Sequence, residues 1–394
     1  MARRACKPFT LFAGVCLLCL GSISAGDALG QDLPAQVVQV DFSGYFDSFN
    51  VNIVYPSVSF TRHLNDRTAI TARYLVDVIS AASMRSRFPV DAVTSATPTL
   101  EGGSDNTPDE LRHEAGIGIT RVLGQAVVGV DALYSVEHDY TSATIAARAS
   151  LPFAQKNTIF QAGLVTSWDK VFPENRTWRK DKRVLTLTSG LTQILSKRLL
   201  ARLDASYSTN TGYMADPYQV VNVFLDSGVQ TLETAHPDSR ERLAAGLEVR
   251  QMLKSGLVMD AHFRWYQDDW GVASQTWALG ASSRIGTGLT LAGNARYYRQ
   301  SAADFFLPRY ETVADLRTVD TKLDRLHSFE LTGKLTVQGN SVGKTPLLGG
   351  FLTEDMSMVF TLGMYARRSD SPNWHSRQRT LYAYLVGIGY RYNF

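Results

Sequence analysis

The hydrophobicity of this chain alternates with a period of two residues along almost all of its length after residue 30. Between residues 257 and 268, for example, the odd positions are mostly apolar, whereas the even positions include Asp260, His262, Arg264 and Asp268. Side chains of a β-strand point alternately to opposite faces, so such a segment is a strand with one apolar and one polar face. The pattern therefore predicts an all-β protein.

Sixteen segments of the chain carry this alternation. An even number of antiparallel strands allows a closed barrel to have both termini on one side of a membrane, and closure leaves no unpaired edge in lipid. We therefore predict that residues 31–394 form a transmembrane antiparallel β-barrel of about 16 strands. The segments lie near residues 37–47, 50–64, 67–80, 111–123, 125–138, 140–152, 157–169, 182–196, 199–211, 240–253, 256–269, 272–285, 287–299, 325–338, 356–368 and 379–394.

The connections between these segments alternate between short and long, as bacterial barrels require. Tight turns are predicted at Asn65–Asp66, Gly124, Ala154–Lys156, Lys197–Arg198, Lys254–Ser255 and Gly286, which we assign to the periplasmic side. Long outer loops are predicted near 81–110, 170–181, 212–239, 300–324 and 369–378. The periplasmic connection at 339–355 is too long for this rule, so it is either a plug or a sign that a pair of strands is assigned wrongly here. Aromatic residues near strand ends, including Trp168, Trp265, Trp270, Tyr297 and Trp374, are predicted to form an interfacial girdle.

The chain ends on an alternating aromatic run from Tyr382 to Phe394. Its apolar face includes Tyr390, Tyr392 and Phe394, which is typical of the last strand of an outer-membrane barrel. We interpret these three residues as a recognition signal for the barrel-assembly machinery.

The first 30 residues have the features of a cleaved secretory signal peptide. Arg3, Arg4 and Lys7 precede an apolar core from Phe9 to Ile23, and small residues follow. All three cysteines lie in this segment, so the mature chain can hold no disulfide, thiolate-bound metal or cysteine nucleophile. Cleavage after Gly30 lowers the formal charge from +3 to +1, which gives no indication of a nucleic-acid partner. We expect the bacterial outer membrane as the location.

Several stretches go beyond a general barrel pattern. They are VDAVTSATPT from Val90, GYMADPYQVV from Gly212, WYQDDWGVASQTWALG from Trp265 and YYRQSAADFF from Tyr297. With the stretch at residues 59–83, they resemble the bacterial domain of unknown function 3570 family. The resemblance covers nearly all of the mature chain and implies an exported outer-membrane barrel, with a lipoprotein or periplasmic protein as a candidate partner. It implies no reaction.

The polar face of the predicted strands is strongly charged, and both signs are interleaved. These side chains either pair across strands and fill the interior, or line water and set ion selectivity. A barrel of sixteen strands is wide enough for an aqueous lumen, which favours the second interpretation. The candidate lumen-lining residues are Arg202, Asp204, Glu248, Arg250, Asp260, His262, Arg264, Asp268 and Arg296.

No constellation in the sequence indicates catalysis, a cofactor or a metal. His262 lies near several charged residues, but its position in the middle of a strand favours a lumen salt-bridge network over an active site. The histidines lack the spacing of a metal site, and GNSVGKT at 339–345 lacks the spacing of a phosphate loop. Two functions remain. The first is a porin-like channel for small polar solutes or ions, and the alternative is a non-conducting structural or assembly barrel that works with a periplasmic or lipoprotein partner.

Overall fold

The computed structural model describes residues 33–48, 51–80, 110–174, 176–254, 256–286, 288–339, 352–370 and 379–394. The predicted signal peptide, Trp374 and most of the 339–355 connection lie outside these ranges. Within them, no helix is both long enough and apolar enough to cross a membrane.

Eighteen strands are present in the described ranges, and sixteen of them close into one antiparallel barrel. All sixteen predicted segments are strands of this barrel, so the predicted fold class is confirmed. The barrel strands are β1 Val37–Asp47, β2 Asn52–Asn65, β3 Thr68–Ser80, β4 Glu110–Leu123, β5 Ala126–Val136, β6 Tyr140–Phe153, β7 Thr158–Val171, β8 Lys180–Ser196, β9 Leu199–Gly212, β12 Ser239–Lys254, β13 Leu257–Asp268, β14 Ala273–Ile285, β15 Leu289–Gln300, β16 Leu326–Gln338, β17 Met356–Ser369 and β18 Thr380–Asn393.

The barrel closes where the first and last strands pair. Strand β1 pairs with β18 from Val37 opposite Asn393 to Asp47 opposite Ala383. Beside this seam, the ring of Phe394 stacks on Phe60 of β2, with 5.8 Å between the ring centroids. The C-terminal aromatic run thus lies against its neighbours on the outside of the closing strand pair.

Turn chemistry explains why one end of the barrel is compact. At that end β4 and β5 are joined by a tight turn in which Gly124 has φ of 63°, a conformation that costs glycine little. The β6–β7 turn contains a short 3-10 segment, Ala154–Lys156. The opposite end carries the long connections, and we call the end with the tight turns, where Phe394 lies, the periplasmic end, as the sequence predicts.

The outward face of the wall is apolar and exposed. It includes a row of aromatic residues that are opposite one another on neighbouring strands near the outer end: Phe263, Trp277, Tyr297 and Phe329. Trp277 and Tyr297 stack with 5.8 Å between centroids. Rings at this height form the belt expected at a membrane interface, and an apolar surface around a closed barrel is the form that a membrane-spanning sheet requires.

The remaining two strands are not part of the barrel. Strands β10 Val220–Leu225 and β11 Gly228–Glu233 form a separate hairpin in the connection between β9 and β12. The sequence predicted only a loop at 212–239. This hairpin packs on the 301–325 connection, and we call the 213–238 and 301–325 connections together the outer cap.

Candidate functional site

The strand register places the candidate lumen residues on one face of the wall, opposite to the exposed apolar face. In one row Asp204 is opposite Gly246, which is opposite Arg264. In the next rows toward the periplasm, Arg202 is opposite Glu248 and Glu248 opposite His262, and Arg250 is opposite Asp260. Arg296 of β15 is opposite Glu330 of β16.

Glycines in the middle of this inner face make room for charged side chains to lie along the wall. A Cβ atom on Gly280 would be 2.5 Å from the Oδ2 atom of Asp260, and one on Gly246 would be 2.7 Å from the Oδ2 atom of Asp204. Both distances are too short for a real contact. The two carboxylates therefore occupy the space that a side chain on the next strand would need, and they lie flat against the inner face of the barrel.

The mid-barrel ion pairs are only partly buried. Arg73 and Glu114 are 3.2 Å apart, and the Arg73 side chain is 50% exposed. Arg250 and Glu248 are 2.9 Å apart at 31% and 26% exposure. Such pairs contribute little to stability, and their charges remain accessible to water and ions.

Several charged groups of the inner face lie in no ion pair in the part of the chain that the structure describes. They include the cations Arg202 and Arg264 and the carboxylates Asp204 and Asp260. Arg202 and Arg264 have no carboxylate oxygen within 4.0 Å of their guanidinium nitrogens there, and both side chains are partly exposed. Arg296, by contrast, has Glu330 at 3.4 Å. The inner wall between β9 and β13 therefore carries charges of both signs that are not paired directly with one another.

Asp268 also lies on the inner face, but its predicted place in a water-filled lining is wrong. Its side chain is fully buried and forms an ion pair with Arg240 at 2.6 Å, and Arg240 is 1% exposed. The reason is the outer cap, which covers the outer end of β12 and β13 and excludes water from this pair.

The Asp268 carboxylate holds the start of the β13–β14 turn in place. Its Oδ1 atom accepts hydrogen bonds from the backbone N–H groups of Trp270 at 2.9 Å and Val272 at 3.1 Å. Its Oδ2 atom accepts one from the Tyr266 hydroxyl at 2.6 Å. The Arg240 guanidinium lies 3.9 Å from the centre of the Trp270 ring. Trp270 is therefore buried in the cap, and its predicted place in the interfacial girdle is wrong.

The cap has a hydrophobic core of its own. One cluster joins Met214, Trp270, Val272, Phe306 and Leu323, which come from three separate connections. A second cluster packs Val221 and Val223 of the hairpin on Tyr310 of the 301–325 connection. The Tyr310 carbonyl accepts a hydrogen bond from the Phe224 N–H at 2.8 Å, so the two segments are joined by backbone as well as by packing.

The cap reaches two nearly opposite parts of the barrel rim. On one side the Tyr218 hydroxyl donates a hydrogen bond to Asp139, in the turn between β5 and β6. On the other, Arg367 of the β17 inner face donates to the Thr321 hydroxyl at 3.1 Å. Eight strands lie between β6 and β17 in one direction around the ring and six lie between them in the other, so the cap bridges the outer mouth.

Two buried ionisable groups of the cap have shifted pKa values in opposite directions. Burial raises the pKa of Asp216 to about 7; the Tyr218 N–H opposes this, and nearby Asp320 adds to it. Burial lowers the pKa of His236 to about 4, although Asp320 and the Met214 carbonyl favour its charged form. Both groups are therefore neutral over part of the acidic range.

The described residues contain no group of three or more His, Asp or Glu side chains arranged to hold a metal ion. His262 shares its row with Arg202 and Glu248, and nothing in this arrangement pairs a nucleophile with a base. The inner wall can attract, repel and order charged solutes, which are the properties of a conduit or a filled interior.

The residues predicted as an assembly signal lie together on the outer face of β18. Tyr392 and Phe394 have ring centroids 6.1 Å apart, and the Tyr390 hydroxyl is 2.7 Å from the sulfur of Met356. Phe394 is exposed and Tyr390 and Tyr392 are half-buried, so the three rings form a partly exposed aromatic strip at the periplasmic end. Recognition by an assembly machinery stays a prediction.

The closed antiparallel barrel, its apolar outer belt and its charged inner face define a transmembrane β-barrel protein. The sequence matches the family described as Protein of unknown function (DUF3570) in two overlapping segments, residues 27–179 and 166–329. The chain belongs to this family, as its loop-edge stretches predicted. No curated protein matches the sequence.

Among solved structures, the chain matches several proteins at low sequence identity. The match to a bacterial polysaccharide outer membrane secretin covers 92% of this chain and 100% of the secretin chain, with a TM-score of 0.49 and 8% sequence identity. The match to OpdK from Pseudomonas aeruginosa with vanillate covers 91% of this chain and 98% of OpdK, with a TM-score of 0.46 and 9% sequence identity. The match to the siderophore receptor PirA from Pseudomonas aeruginosa covers 90% of this chain and 62% of the receptor, with a TM-score of 0.46 and 11% sequence identity. The chain thus spans less than two thirds of that receptor.

Proposed function

We propose that this barrel is a porin-like channel for small polar solutes or ions in the bacterial outer membrane. The observation that carries the proposal is the charged, partly exposed inner wall at mid-height, where the Arg73–Glu114 and Arg250–Glu248 pairs remain accessible. A sixteen-stranded barrel has room for water in its interior. Arginine and carboxylate side chains facing such water set which ions enter.

The first experiment is conductance of the refolded protein in a planar bilayer, after a folded barrel has been identified by heat-modifiable migration on a gel. A channel gives steady conductance steps. A folded barrel that stays silent contradicts the proposal.

Selectivity tests which side chains line the route. Arg202 and Arg264 are sharper targets than Arg250 and Arg296, because the latter two are already paired with Glu248 and Glu330. The double variant Arg202→Gln with Arg264→Gln should move the reversal potential in a salt gradient toward cations. Arg62→Gln with Arg121→Gln removes the same charge from the exposed outer face and should leave it unchanged. Equal shifts in both variants would show that the lumen charges do not act locally.

The outer cap supports a second candidate, a non-conducting barrel that works with a periplasmic or lipoprotein partner. The cap bridges the mouth from Asp139 to Arg367 and has a packed core, so it restricts access from outside. Replacing residues 220–233 by a short Gly-Ser linker removes Val221 and Val223 from that core. If the native barrel is silent and this variant conducts, the cap is a stable block. Crosslinking in cells should then recover one reproducible partner.

A further inference from the structure

A band of basic side chains lies on the outward face of β15–β17, where the barrel meets the outer leaflet. Arg299 of β15 is opposite His327 of β16, and His327 is opposite Arg368 of β17. Arg325 precedes β16 on the same side of the strand as His327. All four side chains are exposed. We call these four residues the basic band.

The height of the basic band is fixed by the aromatic belt. Arg299 lies two residues beyond Tyr297 along β15, and His327 lies two residues before Phe329 on the antiparallel β16. Two residues of a strand span roughly 7 Å. Aromatic belts lie at the level of the lipid headgroups, so the basic band lies at the outer side of that layer, where charged headgroup substituents are found.

Within the described part of the chain, no ion pair neutralises the charges of the basic band. In the described ranges no carboxylate oxygen lies within 4.0 Å of the guanidinium nitrogens of Arg299, Arg325 or Arg368, whereas shorter ion pairs occur at many inner-face arginines. Arg299 instead donates to the Gln275 side-chain oxygen at 2.6 Å and lies 5.2 Å from the centre of the Trp277 ring. Its guanidinium is held in place, yet it keeps donors free for an anion.

A shallow cavity adjoins the band. It has a volume of about 300 Å³ and is lined in part by Trp265, Gln275, Arg299 and Arg325. Two arginines beside an indole ring offer charge-assisted hydrogen bonds to a phosphate and an apolar surface for the sugar or acyl part of the same molecule. We propose that the basic band binds the phosphate groups of an outer-leaflet glycolipid. This site rests on the outer-membrane location but not on conduction.

The test compares matched double variants of the whole barrel in detergent. Arg299→Gln with Arg368→Gln removes two charges from the basic band, and Arg62→Gln with Arg121→Gln removes two exposed outward charges near the periplasmic end. Binding of bisphosphorylated lipid A is measured by native mass spectrometry, and unfolding temperature by heat-modifiable migration. The first variant should bind lipid A at least about tenfold more weakly than the native barrel, because two charge-assisted contacts are lost. The second should bind as the native barrel does.

Further arms identify the ligand and the role of charge. Arg299→Lys with Arg368→Lys should retain most of the binding, and lipid A without phosphates should bind the native barrel as weakly as intact lipid A binds the Gln variant. Equal binding by the native barrel and its Gln variant would overturn the site. Equal affinity for phosphatidylglycerol or inorganic phosphate would overturn the assignment to a glycolipid. Conductance is recorded on the same samples, so a silent barrel that still binds lipid A separates this site from the channel proposal.

Discussion

Two arginines on the inner face of the same strand have opposite environments. Arg240 and Arg250 both belong to β12, and each forms an ion pair with a carboxylate at a similar distance, 2.6 Å and 2.9 Å. Arg240 and its partner Asp268 are buried, whereas Arg250 and Glu248 are about one third exposed. The difference arises from the cap above Arg240, since both arginines have the same chemistry and the same orientation on the sheet.

This difference changes what each pair does. A buried pair must offset the cost of removing two charges from water, so loss of one partner leaves an uncompensated charge. An exposed pair is hydrated and screened, and its loss is tolerated. The first pair therefore attaches the cap, whereas the second leaves accessible charge in the lumen.

The largest effect is expected from Asp268→Asn, which keeps the side-chain size and removes the charge. Arg240 is then buried without a counter-charge, and the cap should lose about 3–5 kcal/mol of local stability. Limited proteolysis should cut the 213–238 connection much faster, while the barrel keeps its heat-modifiable migration. Proteolysis at the native rate would contradict the role of this pair as the attachment of the cap.

The burial of the cap should also make its stability depend on pH, through two groups with shifted pKa values. Asp216 has a pKa raised from 3.8 to about 7, so the stability that it contributes is present in acid and is lost as the pH rises from about 4 to about 7. His236 has a pKa lowered from 6.5 to about 4, so its contribution is lost as the pH falls from about 6.5 to about 4. The two slopes oppose each other over most of this range.

Single variants separate the two slopes. In Asp216→Asn the protease resistance of the cap should rise more steeply with pH between 4 and 6.5 than in the native barrel, because His236 still titrates there and the opposing contribution of Asp216 is gone. In His236→Gln it should fall between pH 4 and 7. Asp269, whose pKa is also raised to about 7, titrates in both variants. The charged neighbours Asp320, Lys322, Asp139 and Arg240 remain in both variants. The same pH profile in both variants would contradict the assignment.

The smallest effect is expected from Glu248→Gln at the exposed pair. Its loss should change the free energy of unfolding by less than about 1 kcal/mol. Denaturant unfolding of the refolded barrel measures this free energy against that of the native barrel. A loss of stability as large as the about 3–5 kcal/mol expected for Asp268→Asn would mean that Glu248 is as well shielded from water as Asp268.

The sequence by itself determined the wall. Hydrophobicity alternates at 257–268 and in fifteen similar segments, and tight turns occur at positions such as Gly124. These features specify the strands, the face on which each side chain lies and the closed barrel, because they depend on a period of two and on local turn geometry. The sequence therefore placed Arg202, Asp204 and Arg264 on the inner face. The alternation alone does not distinguish an inner-face residue that contacts water from one that is buried.

The tertiary structure alone decided which inner-face residues meet water. The cap is built from residues near Val221 and near Tyr310, about ninety positions apart, and neither segment has a periodic pattern that predicts their contact. Only when the barrel closes do the two segments lie over the same mouth, where they bury Asp268 and Trp270 but leave Glu248 accessible. Burial of this kind depends on packing between distant segments of irregular sequence, which local alternation does not encode.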